Sequence, residues 1–128
     1  MPRKTTKRAN GRPLALVQLE GIVDAEFRRG KRWDMQGKAS AGAVELVSGL
    51  FEEGYEVLVA AKFVRPGSEG RRDATRLEAW LAKNGFPPVR AVSRKSPPRA
   101  ALDMGELLRR GVVKINFVGF YLELARRS

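Results

Sequence analysis

The sequence predicts an α/β fold, a three-layer Rossmann-like parallel sheet with helices on both faces. Short apolar runs at 14–19, 55–61 and 89–93 have strand length and β-branched content. The segments between them repeat apolar residues at helical spacing. That β-α-β-α-β order supplies the helical crossovers that parallel strands need. At 128 residues the chain is long enough for one core and short for two.

Residues 1–13, MPRKTTKRANGRP, carry Arg3, Lys4, Lys7, Arg8 and Arg12 without an acid. Their Pro, Gly, Thr and Asn content offers little to bury, so they are expected to form a flexible basic arm before a domain over 14–128. LALVQL, 14–19, reads as the first strand. Residues 24–38, DAEFRRGKRWDMQGK, lack a period and contain two glycines, which predicts a loop or small flap. Ser40 is the expected cap of a helix with Val44, Val47, Leu50 and Phe51 on one face, ended by Gly54.

YEVLVAA, 55–61, is the second strand, and KFVRPGSEGRR, 62–72, a loop. Asp73 is the expected cap of a second helix, with Ala74, Leu77, Trp80 and Leu81 inward and Asn84-Gly85 at its end. VRAVS, 89–93, is the third strand. Asp103 and Glu106 form an acidic variant of the capping box before a short helix through Arg110. VVKINFV, 112–118, alternates like a further strand, and FYLELARR is expected to close the chain as a helical turn or two.

The chain has no cysteine and no histidine. Disulfides, thiolate catalysis, Cys/His zinc sites and histidine triads are therefore excluded. No stretch reaches the roughly 18 apolar residues of a membrane span, and the basic N-terminus lacks the apolar core of a secretory signal. The expected location is the cytoplasm or a virion. The net charge of +11 points toward nucleic-acid phosphates or a nucleoprotein assembly. The bland alternative for the arm is a solubilising tail. Arg28, Arg29, Lys31 and Arg32, with Phe27 and Trp33 among them, and Arg71-Arg72 form further basic groups for such contacts. Their alternative is a solvated loop whose aromatics tuck onto the core.

The pieces resemble, in order, the haloacid dehalogenase-like (HAD) phosphatase superfamily, in its small, nearly capless form. LVQLEGIV stands where the family's aspartate motif stands, and GKASAGAVELVSGLFEEGYEVLVAAKF resembles the helix and strand that lead to its threonine motif. RLEAWLAKNGFP resembles the helix that follows, and RKSPPRA the lysine motif. The resemblance implies an aspartate nucleophile, an acid/base aspartate two residues on, a magnesium ion held by carboxylates, and a threonine and lysine on the phosphoryl oxygens.

Carried onto this chain, the nucleophile position is Gln18 and the acid/base position Glu20. The phosphate hydroxyl falls on Ala61, and the lysine survives as Lys95. The late acidic pair falls on Asp103-Met104, or on Val112-Val113 if VGFYLEL sets the register; either way an acid is missing. A neutral carboxamide is a poor nucleophile and a weak magnesium ligand. The expectation is thus a catalytically degenerate domain with no cofactor and no intact catalytic set. It would bind within a nucleoprotein assembly, ribosome-associated or virion, or serve as accessory to a nucleic-acid enzyme. The alternatives are a residual Mg2+-dependent phosphohydrolase using Glu20 and Asp103, and a protein-interaction module without nucleic-acid contact.

Overall fold

A computed structural model describes residues 12–24, 26–30 and 34–113. Three parallel strands form the main sheet: β1 (Leu14–Gln18), β4 (Glu56–Ala61) and β5 (Arg90–Ser93), in the order β1-β4-β5. Leu14 pairs with Glu56 and Gln18 with Ala60, while Leu58 pairs with Arg90 and Ala61 with Ser93. On the far side of β1, Leu102 forms a parallel bridge to Ala15, its N–H donating to the Leu14 carbonyl. Between β1 and β4 lie a 3-10 turn (Leu19–Gly21), a hairpin of β2 (Arg28–Arg29) and β3 (Met35–Gln36), and helix α1 (Ala43–Glu52). Helix α2 (Glu69–Lys83) joins β4 to β5, and α3 (Met104–Arg109) follows Leu102.

The observed class is mixed α/β with a three-stranded parallel sheet and helices. β4 is the centre of the core: Val57 to Ala61 are all solvent-excluded. A strand buried on both faces reads as a continuous apolar run, which is why EVLVAA does not alternate. Leu46, Val47 and Leu50 of α1 and Leu77 and Leu81 of α2 pack into the same cluster, with Leu107 of α3.

Several local expectations are corrected. Ser40 is not the helix cap: Gly42 occupies that place in left-handed geometry, and α1 begins at Ala43. The buried stripe is therefore Ala43, Leu46, Val47 and Leu50, with Val44 and Phe51 at its half-buried margins. Asp73 is not a cap either. Helix α2 starts four residues earlier, at Glu69, so the loop through Arg72 is shorter than expected and Asp73 lies inside the helix, 1% exposed. The flap at 24–38 is a two-stranded hairpin rather than a plain loop, secured where Val23 bridges Ala39. Asp103 does cap α3, accepting the Glu106 N–H at 2.9 Å. Val112 and Val113 belong to the turn after α3, with Val113 buried; the rest of the strand expected at 112–118 and the closing helix lie outside the described residues.

Asp73 locks the β4–α2 connection. Its carboxylate accepts the Arg65 backbone N–H at 3.1 Å and two guanidinium N–H groups at 2.8 and 3.2 Å. The Arg65 side-chain hydrogen bond holds the Asp73 carboxyl below its usual range, against the desolvation that would raise it. Gly70 permits the closure, because a Cβ there would sit 1.7 Å from the Arg65 carbonyl oxygen.

Gly70→Ala should force the loop off the helix and cost about 1–3 kcal/mol in chemical denaturation, as overpacking generally does. Asp73→Asn should lower the melting temperature at neutral pH. The pair's contribution is complete above the ordinary aspartate pKa of about 3.9 and is lost as pH falls through the lower folded value. Wild type should therefore lose stability more steeply than Asp73→Asn on acidification below about pH 4. Parallel pH profiles for the two proteins would count against this role.

Candidate functional site

Because the three strands are parallel, their carboxyl ends all emerge at one end of the sheet, where ligands of open α/β sheets bind. The turn after β1, the hairpin and the loops after β4 and β5 meet there around a cavity of 310 Å³. Its apolar wall is Leu19, Val23, Phe27 and Phe63; its polar lining is Glu20, Arg28, Arg29, Lys62 and Arg94.

The hairpin is held over this cavity by aromatic packing. The Phe27 ring stacks on Phe63 at 6.4 Å and meets the Trp80 ring edge-on at 5.0 Å. Phe27 is thus a structural anchor; Trp33, the other aromatic of that segment, lies outside the described residues. Gly37, at φ 103°, lies against it; a Cβ there would come within 2.5 Å of the Phe27 Cα. With Phe27 fixed, the adjacent Arg28 and Arg29 are carried on β2 to the rim, both exposed. The Arg29 guanidinium lies 5.4 Å over the Phe63 ring, a placement that cation–π attraction favours.

Glu20 is the only carboxylate among the residues lining the cavity. Its Oε2 is 3.4 Å from Arg94 Nη1, and its Oε1 is buried with no hydrogen-bond partner among the described residues. Four cations therefore face one acid that is already partnered on one oxygen.

Gln18 closes β1 beside Ala60, immediately before the turn that carries Glu20. Ala61 is solvent-excluded, and its carbonyl accepts the Val64 and Arg94 N–H groups. It offers the cavity neither a hydroxyl nor a side-chain surface. Lys95 is exposed, with its backbone N–H donating to Ser93 Oγ, and its neighbour Arg94 is the residue that lines the cavity. Asp103 is not brought to this site. It follows Leu102, which bridges Ala15 low on β1, and its carboxylate is committed to the start of α3.

These donors do not fit a magnesium ion. Magnesium wants oxygen ligands in tight octahedral geometry, usually with one or two free carboxylates. Here Gln18 is neutral, Glu20 pairs with Arg94, Asp103 is engaged elsewhere, and no cluster of three candidate ligands occurs among the described residues.

Arg71 and Arg72 lie exposed on the first turns of α2, also at the carboxyl end of the sheet, but they open onto separate grooves. Arg12 sits at the other end, its guanidinium 4.9 Å over the Phe51 ring. Lys31, Arg32 and Trp33, and Arg3, Lys4, Lys7 and Arg8 of the arm, lie outside the described residues. Lys62 and Arg94 were not among the residues expected from sequence, although each directly follows a strand's last residue, a position that itself points at the crevice. No helix among the described residues is long and apolar enough to cross a membrane. No family model, curated protein or solved structure matches the chain.

Proposed function

We infer that the protein is a catalytically degenerate domain of the HAD-like, three-layer Rossmann-like type that works by binding nucleic acid. Its setting would be a nucleoprotein assembly, ribosomal or virion, or an accessory role to a nucleic-acid enzyme, in the cytoplasm or within a virion. The supporting observation is the charge balance of the crevice: Arg28, Arg29, Lys62 and Arg94 surround one carboxylate, Glu20, already engaged by Arg94. A site that cleaves phosphate esters needs a nucleophile and a means of protonating the leaving oxygen. A site that only holds phosphate needs cations, and these are present. The arm and the crevice together supply sequence-independent contacts of that kind.

A residual phosphohydrolase is the second reading, favoured by one feature, the buried Glu20 Oε1, which has no hydrogen-bond partner among the described residues. That oxygen could act on a proton, but Gln18 and Ala61 leave the attack on phosphorus without a nucleophile or a side-chain hydroxyl.

With magnesium and an aryl phosphate, turnover should not exceed that of Gln18→Ala, and Gln18→Asp alone should not restore it. Magnesium-dependent turnover that Glu20→Ala abolishes would establish the phosphohydrolase instead. Millimolar magnesium should leave the melting temperature where sodium at matched ionic strength leaves it, since a ligand stabilises only what it occupies. A clear magnesium-specific rise would show a competent metal site.

The nucleic-acid reading is tested by salt titration on a mixed-sequence duplex. Replacing Arg3, Lys4, Lys7 and Arg8 with Gln should weaken binding and flatten the log K against log salt slope by roughly 2 to 4 units, at about 0.9 per phosphate contact. The melting temperature should not change. An unchanged slope would make the arm a solubilising tail.

A further inference from the structure

The crevice is graded from an enclosed apolar floor to a charged rim. Leu19 and Val23, the most enclosed of its lining residues, are 2% and 5% exposed. Phe27 and Phe63 are half-buried, and the Glu20 side chain is 21% exposed. Arg28, Arg29, Lys62 and Arg94 are all exposed.

A phosphate alone does not account for that gradient. It takes cations, and those stand at the rim. The apolar wall gives an anion nothing, and the Glu20 carboxylate repels it. A duplex turns its phosphates outward and keeps its bases paired and stacked within. Against this crevice it would touch the rim and leave the interior unused. An unpaired nucleotide supplies both parts, an anion for the rim and a flat base for the interior.

The interior has the chemistry that a base needs. The Phe27 ring stacks on Phe63 at 6.4 Å, and the Arg29 guanidinium lies 5.4 Å over Phe63. Aromatic and guanidinium planes are the surfaces on which unpaired bases stack, and here they share one wall. Glu20 Oε2 and Arg94 Nη1, 3.4 Å apart, set an acceptor beside a donor in the same lining. The Watson–Crick edge of a base also carries donors and acceptors side by side, and it is open to a protein only where the base is unpaired. The volume of 310 Å³ is at the lower end of the roughly 300–1,000 Å³ of ligand pockets, which suits one nucleotide rather than several.

We propose that the crevice takes one unpaired nucleotide of a single strand, its base against the wall of Phe27, Phe63 and Arg29 and beside Glu20 and Arg94, its flanking phosphates on Arg28 and Lys62. This rests on the nucleic-acid reading and adds to it a demand for an unpaired base. Stacking of this kind tolerates any base sequence. The strand passes across the rim, so no terminal phosphate is required.

The test is fluorescence anisotropy with the full chain at about 100 mM salt, where the Debye length is roughly 10 Å. Three labelled probes of equal length are compared: a mixed-sequence single strand, an abasic backbone of identical charge, and the duplex. Wild type should bind the intact strand about tenfold more tightly than the abasic one, the scale of a stacked base. Their equal charge removes any share of that margin that phosphate contacts alone would give. Phe63→Leu, which keeps an apolar wall but no ring, should cut the margin below about threefold. Arg29→Ala, at an exposed position, should cut it as far, and melting temperatures check that both variants fold. If Phe63→Leu melts early, Arg29→Ala carries the test.

Duplex binding with equal affinity for the intact and abasic strands would overturn base recognition and leave the nucleic-acid reading intact. A tenfold margin that persists in the folded variants would place the base elsewhere and overturn it too. So would a nucleoside monophosphate that displaces the strand at the strand's own concentration, since the crevice would then be a pocket for free nucleotides. No binding of any probe would remove the nucleic-acid reading and this proposal together.

Discussion

The parallel pairing of β4 with both neighbours is the constraint from which the remaining features follow. Val57 to Ala61 are excluded from solvent, so the central strand has no polar face and must be covered by other elements. Parallel neighbours then require crossovers long enough to return the chain, and α1 and α2 supply two of them. A consequence is directional: the segments that leave the strands emerge at one end and those that enter them gather at the other. Charge placed just after a strand is delivered to a shared crevice, wherever it stands in the sequence. Lys62 and Arg94, 32 positions apart in numbering, reach the same cavity for this reason.

The crevice is held open by apolar packing rather than by its charges. Cations gathered around one cavity repel each other, and in exposed positions solvent and salt screen that repulsion. What fixes their positions lies beneath. Phe27 against Phe63 and Trp80 anchors the hairpin that presents Arg28 and Arg29. The Ala61 carbonyl, accepting the Arg94 N–H, sets the start of the loop after β5. Asp73, buried and bonded to Arg65, closes the β4–α2 loop. Within that frame Glu20 meets Arg94 through one oxygen and keeps the other without a partner among the described residues, a single carboxylate among the four cations that line the cavity.

How much of this was legible in the sequence depends on the range of the interaction. The strands and the two long helices were readable because LALVQ, EVLVAA and the Leu77 and Leu81 spacing report burial directly. The caps at Ser40 and Asp73 were misread because residue type cannot separate a capping carboxylate or hydroxyl from one enclosed by tertiary structure. Asp73 faces Arg65, eight residues back, and nothing local in the sequence marks that pairing. Asp103 was read correctly because its partner, the Glu106 N–H, is three residues away. At the site, Glu20 was legible as a crevice residue from its place after β1, but its pairing with Arg94 joins positions 74 apart and only the folded topology shows it.

The same topology gives the charge distribution its meaning. A net charge of +11 read as a single number suggests one diffuse attraction to phosphate. Placed on the fold, part of it becomes local: Arg28, Arg29, Lys62 and Arg94 line one crevice at the carboxyl ends of the strands. At the opposite end Glu56 starts β4, its N–H donating to the Pro13 carbonyl, and Glu52 and Glu53 close α1 just before it. Charge set just after parallel strands thus gathers at one place, although its members stand far apart in the sequence.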